Sequence, residues 1–167
     1  MGAVLNRFWW GGDPDVTDEE TGLSRRDIYH VQRSWSLVYQ KADKYGMQLF
    51  LALFRTDPAT QSYFKTIKGM SEDQIRSSYQ FKAHVLNLMS AINTAVLNIH
   101  EPKTIVALMN KLGETHKRHH IEVRHFDEVK IILVNILKNE LAATDTVIAS
   151  WGSLRCVFIQ THIFKIM

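Results

Sequence analysis

Histidine gives this sequence most of its capacity for chemistry, because an imidazole changes charge near neutral pH and offers a nitrogen lone pair to a metal. There are eight: His30, His84, His100, His116, His119, His120, His125 and His162. Most fall on polar faces or near helix ends, where a solvated ring is the ordinary outcome. Two do not. His84 stands three residues after Phe81 and one helical turn before Leu88, on the apolar side of its segment. His116 closes the line Ile105, Leu108, Leu112, whose last two steps are single helical turns. An imidazole on an apolar face costs free energy unless its nitrogens find partners. For either ring alone, the ordinary reading is a satisfied core residue. Two of them, on successive long helices able to pack face to face, could bracket a flat cofactor.

Other chemistries find no support. The sequence carries no paired-carboxylate site, no glycine-rich phosphate loop and no serine nucleophile motif with a plausible partner. The single cysteine, Cys156, excludes an internal disulfide and a cysteine-based zinc site. It reads as a small hydrophobe in the last helix.

The elements that must hold the two histidines are set out by periodicity. Leu23-Ser24-x-x-Asp27-Ile28 has the form of a helix start: Ser24 caps, Asp27 reaches back, and Leu23 staples onto Ile28. Ile28, Val31, Trp35 and Val38 then recur at helical spacing. A second helix runs to about Arg55, after which Asp57 caps a new start with Pro58 in its first position. Residues 65–77 read as a loop with short turns. A long helix comes next, with Phe81, Val85, Leu88, Ile92 and Val96 on one side; Pro102 separates it from the helix of Ile105, Leu108 and Leu112. Two more carry Phe126, Val129, Leu133 and Ile136, then Val147, Trp151, Leu154 and Phe158. No alternating run competes, so the chain is expected to be all-α.

The 167 residues amount to one domain, with 46% hydrophobic and 22% charged residues. Formal charge is +3, unevenly spread: the stretch through Leu23 carries −4 and the remainder +7. We expect residues 1–22 to form a flexible N-terminal extension and residues 23–167 the folded domain. Gly2 would be exposed for N-myristoylation, although Asn6 stands where that motif prefers Ser or Thr. Trp9 and Trp10 could sit at a membrane interface or pack on the domain. No apolar run approaches the ~18 residues a bilayer crossing needs. The expected location is cytoplasmic, with membrane association only through an acylated N-terminus. No nucleic-acid module surrounds the basic run Lys117-Arg118-His119-His120.

With these residues in view, the sequence resembles the globin family over about residues 23–164. Pro58 opens a short helix, with Phe64 six residues on, like the globin phenylalanine that stacks on haem. Phe81-Lys82-Ala83-His84 resembles the distal-histidine segment, and Leu112-Gly113-Glu114-Thr115-His116 the proximal one. Trp35 and Trp151 match tryptophans of the first and last helices, and Gly46 a glycine at a helix crossing. The separation of His84 from His116, 32 positions, is nearer to neuroglobin-like and invertebrate members than to vertebrate myoglobins. Two departures stand out. Val85 replaces a glycine after the distal histidine, which implies a looser helix crossing. Residue 50 is Phe rather than Tyr, which removes a second hydroxyl donor.

The resemblance implies a globin fold of six to eight helices in a three-over-three sandwich around haem b. His116 would be the proximal iron ligand and His84 the distal histidine, either donating a hydrogen bond to bound oxygen or coordinating iron itself. Phe64 would stack on the porphyrin, with Phe50, Leu88, Leu112, Ile121, Val123 and Phe126 lining the pocket. His120 and its basic neighbours, including Arg124 and His125, could pair with the haem propionates; for each alone a solvated turn is the ordinary reading. The implied function is reversible binding of oxygen and other diatomic gases, for storage, transport or sensing. A haem-dependent redox enzyme needing an external reductase is the alternative. A homodimer is an admissible assembly.

Overall fold

A computed structural model describes residues 10–19 and 21–158, with side chains described through Leu154. Gly2, Asn6, Trp9 and His162, and the side chains of Cys156 and Phe158, lie outside the described residues. Among the described residues there are seven α-helices and one 3-10 helix: α1 (Arg25–Tyr39), α2 (Ala42–Thr56), the 3-10 helix (Pro58–Tyr63), α3 (Glu72–Ser77), α4 (Tyr79–Leu97), α5 (Pro102–Arg118), α6 (Val123–Leu141) and α7 (Asp145–Phe158). The only bridge pairing among them is the isolated one between Thr17 and Ser24. None of these helices is long and apolar enough to cross a membrane.

The starts are set by local chemistry. Ser24 and Asp27 form a reciprocal capping box, with Asp27 N–H donating to Ser24 Oγ at 3.1 Å and Ser24 N–H to Asp27 Oδ2 at 3.0 Å. Asp57 accepts from Ala59 N–H at 3.1 Å and Pro58 comes directly after it, but the turns that result are 3-10 rather than α. Within the expected loop 65–77, residues Glu72–Ser77 are helical instead. Ser71 and Gln74 make a second capping box there, and six residues are too few to show apolar periodicity.

The expected extension is partly tied down. Arg26 N–H donates to Pro14 O at 3.1 Å, and Arg26 pairs with Asp15 at 2.6 Å. Trp10 meets Tyr29 edge-on with centroids 5.4 Å apart, Arg25 donates to Trp10 O, and Thr21 is buried. Trp10, Pro14 and Asp15 are therefore held against the start of α1.

Helix α1 packs on α4, α6 and α7, α2 packs on α6, and α5 packs on α7. Helix α1 also packs on α2, and α2 on α4. Val31, Trp35 and Val38 of α1 are buried, as are Leu133 and Ile136 of α6 and Trp151 of α7. Trp35 and Trp151 meet at a tilt of 56° with centroids 6.2 Å apart, and each indole N–H finds a partner: Asn93 Oδ1 at 3.1 Å and Ser34 Oγ at 2.9 Å.

The crossing of α2 with α4 is closer than the valine at 85 implies. A Cβ on Gly46 would stand 2.6 Å from Val85 Cγ1 and 2.8 Å from Met89 Cγ. The glycine that permits the approach is supplied by α2, so Val85 can be fully buried opposite it. Gly46→Ala is expected to lower stability by about 1–2 kcal/mol, overpacking outweighing the gain in helix propensity. In a double-mutant cycle with Val85→Ala, measured by urea unfolding, the pair should lose less than the sum of the single losses.

Candidate functional site

Two helices position the two histidines. In α4, Ser78 Oγ accepts from Phe81 N–H at 3.3 Å, and the buried residues Phe81, Val85 and Met89 set the face turned to α2. His84 is thereby brought beside three aromatic rings, with centroids 5.0 Å from Phe64, 5.4 Å from Phe50 and 6.1 Å from Phe81. The expectation of a core-facing ring is corrected here: His84 is exposed on its other side, and it makes no hydrogen bond among the described residues. Packing against these rings pushes its pKa below the ordinary histidine value, and a charge on His116 lowers it further. His84 is therefore neutral at pH 7, and it lies near enough to His116 for the two rings to feel each other's charge.

His116 occupies the last turn of α5. Its Nδ1 lies 2.8 Å from the carbonyl oxygen of Leu112, one turn earlier. A carbonyl only accepts, so Nδ1 carries the proton and Nε2 is left with an unshared lone pair. That is the form in which histidine serves as a metal ligand, with the second nitrogen anchored to backbone. Beyond it the helix ends at His119, and His120 turns the chain in a left-handed conformation, φ 57°. Ile121 N–H then donates back to His116 O at 3.2 Å. This corner delivers Phe126 of α6 to a centroid distance of 5.0 Å from the His116 ring.

Of the apolar lining residues, Phe50 is buried at the centre of a cluster with Phe54, Phe64 and Phe81. Phe64, Leu88, Leu112, Ile121, Val123 and Phe126 are all half-buried. Of these, Phe64 lies against His84 and Phe126 against His116.

The basic run divides. Lys117, Arg118, His119 and His120 are exposed. Arg124 is engaged elsewhere, 2.8 Å from Asp57, 2.9 Å from Glu122 and 3.5 Å from Glu128. His125, read as part of a solvated basic turn, is 5% exposed. Its Nδ1 accepts from Glu122 N–H at 3.0 Å, and the ring of Tyr63 covers it at 5.5 Å. Sequence reasoning missed the group this makes with Asp57 and Glu128. The His125-x-x-Glu128 spacing was visible, but nothing local points to Asp57.

The globin family model matches residues 47–161, more than half of the chain. The chain belongs to the globin family. Among curated relatives, this globin is 25% identical over 150 residues to cytoglobin-1 of Oryzias latipes, covering 87% of this chain and 85% of the relative. It is 26% identical over 143 residues to cytoglobin-2 of Danio rerio, covering 83% and 76%. Its fold resembles a hexacoordinated haem protein from an anhydrobiotic tardigrade, with TM-score 0.77, 22% identity and coverage of 90% and 96%. It also resembles the hexa-coordinate haemoglobin of Drosophila melanogaster, with TM-score 0.78, 12% identity and coverage of 84% and 93%. The all-α globin fold expected from the sequence is the one observed.

The depressed pKa of His84 has a measurable sign. Below 6.5, the ordinary histidine value, the unfolded globin takes up a proton at this position more readily than the folded one. Unfolding is then favoured as pH falls from 6.5 toward the folded pKa. The urea midpoint of the cofactor-free protein should therefore drop more steeply between pH 7 and pH 5 than that of His84→Leu. Equal slopes would rule out desolvation of His84 as a source of acid sensitivity.

Proposed function

We propose that this globin binds haem b (iron protoporphyrin IX) between α4 and α5, and through it oxygen and other diatomic gases, for storage, transport or sensing. The observation that carries the reading is the His116 Nδ1 to Leu112 O contact, which leaves Nε2 as the ring nitrogen available to iron. When bound, the haem supplies a metal centre at which small gases bind reversibly.

The remaining work belongs to the chain's own residues. Phe50, Phe64, Leu88, Leu112, Ile121, Val123 and Phe126 keep water and a second haem away from the metal. Phe64 offers its ring to the porphyrin face. His120, exposed at the corner after His116, is available to pair with a propionate. With Phe at position 50, His84 is the residue that can act on the distal side. Being neutral at pH 7, it has one N–H to donate and one lone pair to give. Beside the rings of Phe50 and Phe64, that N–H would be partly shielded from competing water.

We infer that both imidazoles would hold the iron, His84 being the one with which an external ligand would compete. This is supported by the nearness of His84 to His116, whose charge acts on it. It is supported also by the two fold relatives described as hexacoordinate. A carrier or sensor role needs no electron supply and is preferred here to sustained redox turnover.

Wild-type protein should bind one haem and, reduced without added ligand, show two sharp visible bands. His116→Ala should retain no stoichiometric haem. His84→Leu should keep haem but show one broad visible band. No Soret absorption after addition of haem would overturn the proposal, and a broad band in the wild type would assign His84 to hydrogen bonding alone.

A further inference from the structure

We propose that Asp57, His125 and Glu128 form a second metal site, outside the cleft, for a divalent ion of the zinc type. The three side chains present one ligand atom each, and these atoms all lie within 4.8 Å of one another. His125 and Glu128 are three residues apart on α6 and so share a face; Asp57 reaches them from the start of the 3-10 helix. One imidazole and two carboxylates make a mixed nitrogen and oxygen donor set that suits zinc, with water completing four ligands.

Two buried atoms in this group lack any hydrogen-bond partner: His125 Nε2 and Glu128 Oε2. Buried polar atoms are nearly always satisfied, and here two orphans occur in one cluster. The nearest acceptor to His125 Nε2 is Asp57 Oδ2, at 3.8 Å too far for a hydrogen bond. A metal ion between them would satisfy both orphans together.

Two rearrangements accompany binding. Without metal, the Glu122 N–H points at Nδ1, so the ring proton sits on Nε2. Ligation at Nε2 needs that proton moved to Nδ1, and the bond from Glu122 N–H is given up. Arg124, which lies 2.8 Å from Asp57 Oδ2 and is half exposed, turns away from the ion and keeps its contact with Glu122. Zinc would then clamp the 3-10 helix that leads to Phe64 onto the helix that carries Phe126.

The test is calorimetric titration of zinc into the full-length protein and into His84→Leu/His116→Ala, which removes the two cleft imidazoles. One zinc per chain is expected in both, at micromolar concentration, with His125 nitrogen NMR shifts reporting coordination at Nε2 and a proton on Nδ1. Glu128→Gln and Asp57→Asn should each weaken binding by more than about 10-fold. Asp57→Asn keeps an oxygen to cap Ala59, so it carries the test if Glu128→Gln fails to fold. Binding unchanged in both single variants, binding lost in the cleft double variant, or no uptake at micromolar zinc would each overturn the proposal. None of these results depends on whether the cleft takes haem.

Discussion

A carbonyl oxygen accepts hydrogen bonds and never donates them, and the candidate site rests on that asymmetry. Leu112 O, 2.8 Å from His116 Nδ1, decides where the single proton of a neutral imidazole sits. The donor nitrogen is then Nε2, and the ring cannot turn it inward without breaking the bond. Because ring and carbonyl belong to consecutive turns of one helix, the arrangement needs only helical backbone and no distant partner. Helix α5 stops soon after His116, which lets the chain turn back so that Phe126 meets the imidazole. It stops through His119 and the left-handed His120, a conformation in which histidine is among the better-tolerated residues.

The distal side is built by packing. Phe50, Phe54, Phe64 and Phe81 interlock mostly at tilted and edge-on angles, and His84 sits at the margin of that cluster, partly in aromatic surroundings and partly in solvent. Such a margin suits a residue that must be neutral yet reachable. Its position depends on how near α4 can come to α2, and that distance is set by the missing side chain at Gly46. The one hydrogen atom there therefore bears on the cleft through a chain of contacts running from Gly46 to Val85 and on to the aromatic cluster.

Much of this was legible from residue order. The capping box at Ser24, the break at Asp57-Pro58, the apolar faces of the long helices and the two histidines on apolar lines all express local rules with a period of 3.6 residues. The Ser71-x-x-Gln74 start of α3 was legible in the same terms, but six residues carry no repeat to announce a helix. The looser crossing inferred from Val85 misjudged one side of a two-sided contact. The basic turn near residue 120 misled for a related reason. A run of charged residues does not say which side chain faces inward, and Arg124 and His125, adjacent in the chain, go to solvent-edge pairing and to burial respectively.

The amino-acid order alone therefore determined the long helices, the family resemblance and the two imidazoles worth attention, because those depend on residues within a few turns of each other. Tertiary structure decided the rest. It chose the ring nitrogen that His116 leaves available, lowered the pKa of His84 among phenylalanines from three elements, and brought Asp57 to His125 across 68 positions of chain. Each of these depends on distance through space, and distance through space between remote segments is fixed only once the helices have packed.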